Sequence, residues 1–321
     1  MSSRERVLLT GATGHVGGRL FQHLTSLSTL SVRAVIRAAR QLPAWASNAE
    51  IVMGDLSDVS VRRKALTDVD TVVHLATRGF SSAVAPTDSE LDSERQTAAS
   101  LVREAVSYGV RRYLFVSSIH VYGRSLEGHV TDKTPTLPST AYGKSRQKIE
   151  DDLFSSASGT DTQACVLRLT NSFGAPALPR PETWNLLVHD LCKQVVSSSR
   201  IVLRSDPRTH RDLMALRDVT HVMSQVISST RTDGGVFLLA SGRSLMIQQL
   251  AERVKMHAED MLGTRCKVEN RHLDVSPPPT FTLRSERLIA SGIDIPNSLD
   301  DEIRDLLTLA VREFRGNHDD R

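Results

Sequence analysis

The sequence predicts an α/β fold, with a Rossmann-type doubly wound parallel sheet and a smaller C-terminal α/β lobe. Short apolar runs alternate with amphipathic stretches over about the first 170 residues, as strands and helices do in such a sheet. A glycine-rich turn joins the first run to the first helix. Beyond residue 171 the alternation loosens and three prolines interrupt the chain, which marks the start of the second lobe.

The first predicted element is a short strand that runs directly into the glycine-rich turn. Residues 5–10 read E-R-V-L-L-T, and the next eight read G-A-T-G-H-V-G-G. A helix is expected over residues 15–27. Glycine lets the chain turn sharply and lets backbone N–H groups approach a pyrophosphate, which the positive end of the helix favours. The predicted cofactor-binding residues at this turn are Gly11, Thr13, Gly14, His15, Val16 and Gly17.

The remaining elements follow in order. Strands are expected over residues 31–36, 49–53, 71–75, 112–117 and 163–169, and helices over 59–67, 88–108 and 142–155. Later, strands are expected near 201–204, 213–216 and 235–239, helices near 182–197, 244–259 and 299–315, and a turn at prolines 277–279. The pattern predicts a dinucleotide-binding domain, residues 1–170, and a mainly substrate-binding lobe, residues 171–321. Some later segments should return to the main sheet.

Composition excludes several classes of protein. A net charge of +3 and 4% aromatic residues are too low for a nucleic-acid binder. No apolar run approaches the roughly 20 residues of a membrane helix, and we expect no signal peptide, because the polar N-terminal residues lead directly into the first predicted strand. The cysteines at 165, 192 and 266 lack metal-ligand spacing, so we expect buried thiols and no metal site. The expected compartment is the cytoplasm.

The ends of the next strands bear on the cofactor. The second strand ends without the acidic residue that binds a ribose hydroxyl, and Arg37 and Arg40 flank that position. Two arginines fit a 2′-phosphate, which favours NADP over NAD, although NAD binding with two solvated arginines is the alternative. Further predicted cofactor contacts are Asp55 and Leu56 after the third strand and Leu75, Ala76 and Thr77 after the fourth.

Two later segments carry candidate chemistry. The fifth strand ends in S-S-I-H-V-Y-G, from Ser117 to Gly123, and Y-G-K-S-R begins at Tyr142. With the glycine turn, these segments resemble the extended short-chain dehydrogenase/reductase family, in its nucleotide-sugar epimerase, dehydratase and reductase branch. Residues 166–174 and 211–219 resemble two further segments of that family. The likeness covers nearly the whole chain.

The resemblance implies roles for individual residues. Tyr142 would be the catalytic acid/base and Ser118 would help to hold the substrate oxygen, while Ser117 and Tyr142 would also contact the cofactor. A free tyrosine has a pKa near 10, so a nearby cation is needed to lower it. The family places a lysine four residues after the tyrosine, but this chain has Arg146, the third candidate catalytic residue and also a predicted ribose contact. Arginine keeps the charge in a bulkier, planar group.

The resemblance also implies a nucleotide-sugar substrate contacted by Ser118, Asn171 and Arg211, although the last two residues could instead only hold loops in place. His120 is a further candidate substrate contact, with the alternative that it is a turn histidine facing solvent. A 4,6-dehydratase is disfavoured, because Ile119 and His120 stand where that branch carries an Asp-Glu pair. The Arg37 and Arg40 pair favours reduction of a 4-keto sugar by NADPH, because net reduction generally draws on NADPH. The alternatives are an NAD-dependent 4-epimerase and a non-catalytic NADP-binding sensor or scaffold.

The family pairs two helices of each subunit in a homodimer, and the corresponding segments here are 88–108 and the helix that starts at Tyr142. Their apolar residues predict packing beyond their own sheet, with the alternative that they only cover it. These residues are Leu91, Ala98, Leu101, Val102, Ala105, Ile149, Leu153 and Phe154.

Overall fold

The computed structural model of the chain describes residues 4–38, 41–77, 86–229, 234–270 and 278–315. A seven-stranded sheet forms its centre, built from β1 (Glu5–Thr10), β2 (Leu30–Ile36), β3 (Ala49–Met53), β4 (Thr71–His74), β5 (Arg112–Ser118), β7 (Gln163–Leu169) and β11 (Gly235–Leu239). The strand order is β11-β7-β5-β4-β1-β2-β3, and every neighbouring pair is parallel. This is the doubly wound parallel sheet that the sequence predicts.

Helices cover both faces of this sheet. One face carries α1 (His15–Ser26) and α6 (Leu216–Ser228), and the other carries α2 (Val59–Leu66), α3 (Asp88–Ser107) and α4 (Ala141–Ala157). Successive strand residues point to opposite faces, and β1 shows it: Val7 and Leu9 join the core under α1, whereas Leu8 joins the core under α3. Burial on both faces explains why the central strands read as continuous apolar runs.

The second lobe has a core of its own, formed by α5 (Leu187–Ser198), α7 (Ile247–Leu262) and α9 (Leu299–Phe314). Short strands complete the described fold. They are β8 (Asn171–Phe173), β10 (His210–Ala215) and β12 (Ser244–Met246) in one sheet, β9 (Arg200–Leu203) with β13 (Lys267–Asn270), and β6 (Gly128–Thr131) with β14 (Phe281–Arg284). A short helix, α8 (Glu286–Ala290), and 3-10 turns at Ala44–Asn48, Ile119–Tyr122 and Pro181–Asn185 connect these elements.

Two predicted helices of this lobe begin later than expected. The one expected over 244–259 starts with β12, whose three residues pair antiparallel with β10, and only then becomes α7. The one expected over 182–197 starts as a 3-10 turn with Pro181 at its first position, before α5. As predicted, β11 returns to the main sheet beside β7. Pro277 of the predicted turn lies outside the described residues, and the division into two domains stays a prediction.

The apolar residues that were expected to pack beyond the sheet are used inside the chain. Seven of the eight are buried, and the eighth, Phe154, packs against the same core. The outward sides of α3 and α4 are polar instead, with an ion pair of 3.1 Å between Arg95 and Asp152. These helices therefore cover their own sheet, and the apolar argument for a subunit interface was wrong.

Candidate active site

The glycine turn lies where the order of the sheet reverses. β1 pairs with β2 on one side and with β4 on the other, and ligands of doubly wound sheets bind at such a point, outside the carboxyl ends of the strands. Gly11 has φ +71°, and a Cβ there would lie 2.6 Å from the carbonyl carbon of Leu75. A Cβ on Gly17 would collide with the carbonyl oxygen of Gly11. Only glycine fits both positions.

The helix that follows the turn presents its first N–H groups without a side-chain cap. α1 begins at His15, and its N-cap is Gly14. The positive end of the helix therefore points at the turn, as pyrophosphate binding requires. Burial, with help from His189, lowers the pKa of His15 to about 3, so its ring is neutral and the anion site relies on backbone N–H groups. The residues present fit the pyrophosphate of a dinucleotide.

A cavity of about 540 Å³ extends from this turn across the ends of β2, β3 and β4. Arg37 lies at its far end beside Asp55, whose pKa is lowered mainly by hydrogen bonds from Ser57 and also by the Arg37 charge. Arg40 lies outside the described residues. The sequence-predicted residues that line this cavity are Gly11, Thr13, Gly14, Arg37, Asp55, Leu56, Leu75, Ala76 and Thr77.

A second cavity of about 330 Å³ opens on the other side of the glycine turn, and Gly11, Gly14, Leu75 and Thr77 line both. It lies between the ends of β5 and β7 and the start of the second lobe. The remaining predicted residues that line it are His15, Val16, Gly17, Ser117, Ser118, His120, Tyr142, Asn171 and Arg211. The candidate catalytic residues Ser118 and Tyr142 therefore line the same cavity as the candidate substrate contacts.

Tyr142 lies near the start of α4 with its hydroxyl hydrogen-bonded to Ser118. Burial raises the pKa of Tyr142 to about 12, and the Ser118 hydrogen bond opposes this shift. The His120 ring lies edge-on to the tyrosine ring, with centroids 5.7 Å apart. Burial, with the charges of Arg124 and Arg211, lowers the pKa of His120. At neutral pH the site therefore presents a protonated phenol, a hydroxyl and a neutral imidazole.

The two substrate candidates in the second lobe are held by backbone groups. Asn171 Nδ2 donates to the carbonyl oxygen of Asp212 at 3.4 Å, and Arg211 Nη1 donates to the carbonyl oxygen of His210 at 2.9 Å. Burial lowers the pKa of Arg211. Both side chains line the second cavity. They are therefore placed to hold the local backbone and also to contact a ligand.

A sequence model of the NAD dependent epimerase/dehydratase family matches residues 7–240. The chain belongs to this family. The match spans the glycine turn, Ser118, Tyr142 and the strands that carry both cavities. As an epimerase/dehydratase family member it is an NAD(P)-dependent enzyme of the extended short-chain dehydrogenase/reductase type.

Curated relatives of this family member include two UDP-glucose 4-epimerases. The Corynebacterium glutamicum protein is 26% identical over 305 residues, which cover 88% of each chain. The Vibrio cholerae protein is 24% identical over 254 residues, 76% of this chain and 74% of that protein. A further relative, the N-acetyl-alpha-D-glucosaminyl-diphospho-ditrans,octacis-undecaprenol 4-epimerase of Escherichia coli O157:H7, is 31% identical, but the match covers only 53% of its length.

Solved structures share the fold of this epimerase/dehydratase chain. MoeE5 in complex with UDP-glucuronic acid and NAD has a TM-score of 0.77 at 21% identity, over 96% of this chain and 99% of that one. The UDP-glucuronic acid 4-epimerase of Bacillus cereus in complex with NAD has a TM-score of 0.75 at 18% identity, over 97% and 98%. At these identities the likeness establishes the fold alone.

The departure from the family at Arg146 has a structural counterpart. Arg146 is fully buried, lines neither cavity, and donates from Nη2 to Glu94 Oε1. Its Cζ lies 4.9 Å from the centroid of the Tyr142 ring. Burial lowers the pKa of Arg146 to about 9, so it remains charged at neutral pH. The predicted direct contact of Arg146 with the cofactor stays a prediction.

Sequence reasoning missed Arg180, which comes from the second lobe and lines both cavities. Its Nη1 donates to the carbonyl oxygen of Thr13 at 2.5 Å, and its Nη2 lies 2.5 Å from Glu182. The available signal in the sequence was a basic residue inside a proline-rich connection.

In the described residues no group of three or more His, Cys, Asp or Glu side chains could hold a metal. No helix among them is long and apolar enough to cross a membrane.

Proposed function

We propose that the protein transfers hydride to or from a carbon of a nucleotide-activated sugar, with reduction of a 4-keto sugar by NADPH as its net reaction. The observation that carries this proposal is the protonated Tyr142 hydroxyl, hydrogen-bonded to Ser118 in the cavity beside the glycine turn. A phenol that holds its proton at neutral pH is suited to donate it to a ketone oxygen as that oxygen becomes an alcohol.

The chain's residues divide the work as follows. Backbone N–H groups at the start of α1 bind the pyrophosphate, and the second cavity receives the sugar. Ser118 donates to the sugar oxygen and orients it toward Tyr142, which gives or takes the proton there. The nicotinamide, when bound, supplies or accepts the hydride at the adjoining carbon. Arg211 supplies a cation for the diphosphate of the sugar nucleotide.

A second candidate is a 4-epimerase. It is supported by three UDP-glucose 4-epimerases that match along most of their length. Epimerisation needs Tyr142 to take a proton in the first half-reaction and return it in the second. It therefore requires a lower pKa of the Tyr142 phenol than reduction does.

One experiment separates the two candidates. Purified protein is incubated with UDP-, dTDP-, GDP- and CDP-sugars and their 4-keto forms, and both the sugar products and the oxidised and reduced cofactor are quantified. NADPH consumed in step with a reduced sugar supports the reductase. An isomerised sugar with tightly bound NAD and no net consumption supports the epimerase. Cofactor binding without any sugar product rejects both enzymatic candidates.

The preference for NADP rests on Arg37. We expect NADPH to bind more tightly than NADH, and Arg37→Asp to reverse the order, because a charge-assisted contact to a 2′-phosphate is worth about 1.5–3 kcal/mol, or roughly 10- to 100-fold in affinity. Both Kd values are measured by cofactor fluorescence. Arg63→Asp, an equal charge change on an exposed residue that lines neither cavity, should leave the ratio unchanged. Equal affinities in the unmodified protein would contradict the claim.

The proposal also includes a homodimer that forms through α3 and α4. Because the apolar residues of these helices pack inside the chain, its interface would consist of polar side chains. The outward sides of these helices carry charges such as the Arg95–Asp152 pair, so we expect a dimer at micromolar concentration that dissociates as salt screens its contacts. Sedimentation velocity at low and high ionic strength measures this. A monomer at low ionic strength rejects the dimer.

A further inference from the structure

We propose that Glu94 accepts hydrogen bonds from the cofactor ribose nearest Tyr142, and that Arg146 is the positioning residue that holds this carboxylate. The family's lysine would donate a hydrogen bond to that ribose, whereas Glu94 of this chain would accept hydrogen bonds from it. The inference rests on dinucleotide binding in the larger cavity and not on which sugar is the substrate.

The first observation is that only one of the two charged side chains, the carboxylate, faces the cavity. Glu94 lines the larger cavity, whereas Arg146 lines neither cavity. The side chain of Arg146 is 0% exposed and that of Glu94 is 8% exposed. Arg146 Nη2 donates to Glu94 Oε1, and of the two residues only Glu94 lines the cavity, so the carboxylate separates the guanidinium from the cavity. A ligand in the cavity therefore meets the anion first.

The second observation is that the guanidinium packs against two aromatic rings. Its Cζ lies 4.9 Å from the centroid of Tyr142 and 6.0 Å from that of Phe115, and stacking on ring faces suits the planar arginine better than a lysine. The charge pair is therefore anchored beside the catalytic tyrosine. Because Arg146 contacts both groups, Glu94 lies on the Tyr142 side of the larger cavity. The proposed partner of Glu94 is therefore the ribose next to the reacting end of the cofactor, and not the adenosine ribose, which the proposal assigns to Arg37.

The third observation is chemical fit. Both hydroxyls of a ribose can donate to one ionised carboxylate, which has only acceptors, and dinucleotide folds use an acidic residue in this way at their other ribose. A carboxylate covered by a ligand is costly unless a counter-charge accompanies it. Arg146 supplies that counter-charge without competing for the hydroxyls, since it lines no part of the cavity.

The test compares ADP with ADP-ribose, which differ by the ribose in question, in calorimetric titrations of the purified protein. Glu94→Gln should weaken ADP-ribose about tenfold and leave ADP unchanged. Glu104→Gln is the matched control. Glu104 lies on α3 like Glu94 and forms an ion pair of 2.7 Å with Arg62, but it lines neither cavity. It should leave both affinities unchanged. An unchanged ratio of the two affinities in Glu94→Gln overturns the assignment.

A pH series distinguishes ribose binding from a merely structural pair. In Arg146→Met the carboxylate loses its counter-charge and takes up a proton more readily. From about pH 8 to about pH 5, the affinity for ADP-ribose relative to ADP should therefore fall several-fold more in this variant than in the unmodified protein. The unmodified protein is the reference because the terminal phosphate of ADP itself takes up a proton in this range. The same change of the ratio in both proteins overturns the proposal. Failure of every sugar to turn over would reject only the proposed function, since this ratio is independent of it.

Discussion

Replacing Tyr142 with phenylalanine should lower turnover by about 100-fold or more, while NADPH still binds. The substitution removes only the hydroxyl, which is hydrogen-bonded to Ser118 in the second cavity. The ring stays, and with it the stacking against Arg146 at 4.9 Å. Steady-state turnover and cofactor titration, measured on the same preparation, separate the chemical step from binding. Full turnover in Tyr142→Phe would place the proton transfer on another residue.

Arg146→Lys supplies the companion measurement. Burial holds the pKa of Tyr142 at about 12, so the reductive direction, which needs the protonated phenol, should be flat with pH across the neutral range. The oxidative direction needs the phenolate, so its rate should rise with pH. A compact ammonium at position 146 should stabilise the phenolate and raise the oxidative rate more than the reductive one. If neither variant changes turnover relative to the unmodified protein, the catalytic assignment fails.

The core of the fold could be predicted because its signals are local. A buried parallel strand is a short apolar run, and a glycine turn with φ +71° at Gly11 requires glycine at that position. β12 was missed for the opposite reason. Its three residues, Ser244 to Met246, become a strand only because β10 offers them backbone partners, and residues 210–215 lie far from them along the chain. Pairing partners of this kind leave no periodic pattern in the strand itself.

The site divides in the same way. Ser118 and Tyr142 could be named because each sits in a recognisable local segment at the end of a strand or the start of a helix. Glu94 and Arg180 could not be named from the sequence, since their positions at the cavities depend on contacts across 52 and 167 residues, to Arg146 and Thr13. The same packing of α3 on α4 that creates the Glu94 contact also buries the apolar residues that the sequence offered for a dimer. The amphipathic pattern alone cannot say which partner an apolar face covers.

The largest expected loss of stability follows from removing Glu150. This carboxylate is 2% exposed and accepts from Ser117 Oγ at 2.5 Å and from Arg168 Nη2 at 2.7 Å. Arg168 in turn lies with Cζ 4.9 Å from the centroid of the Tyr122 ring. The group thus ties α4 to β5, to β7 and to the turn behind the second cavity. Glu150→Ala leaves a buried guanidinium without its counter-charge, so unfolding free energy should fall by about 3–5 kcal/mol.

Urea unfolding measures this loss, and two further variants show its cause. The double variant Glu150→Leu/Arg168→Met removes both charges at similar volume, and it should recover most of the lost stability because no unpaired buried charge remains. Glu252→Gln breaks the exposed pair with Lys255 at 3.3 Å and should cost at most about 1 kcal/mol, since solvent screens it. A Glu150→Ala protein as stable as Glu252→Gln would show that the buried pair contributes little. A double variant no more stable than Glu150→Ala would show that the loss comes from packing and not from the unpaired charge.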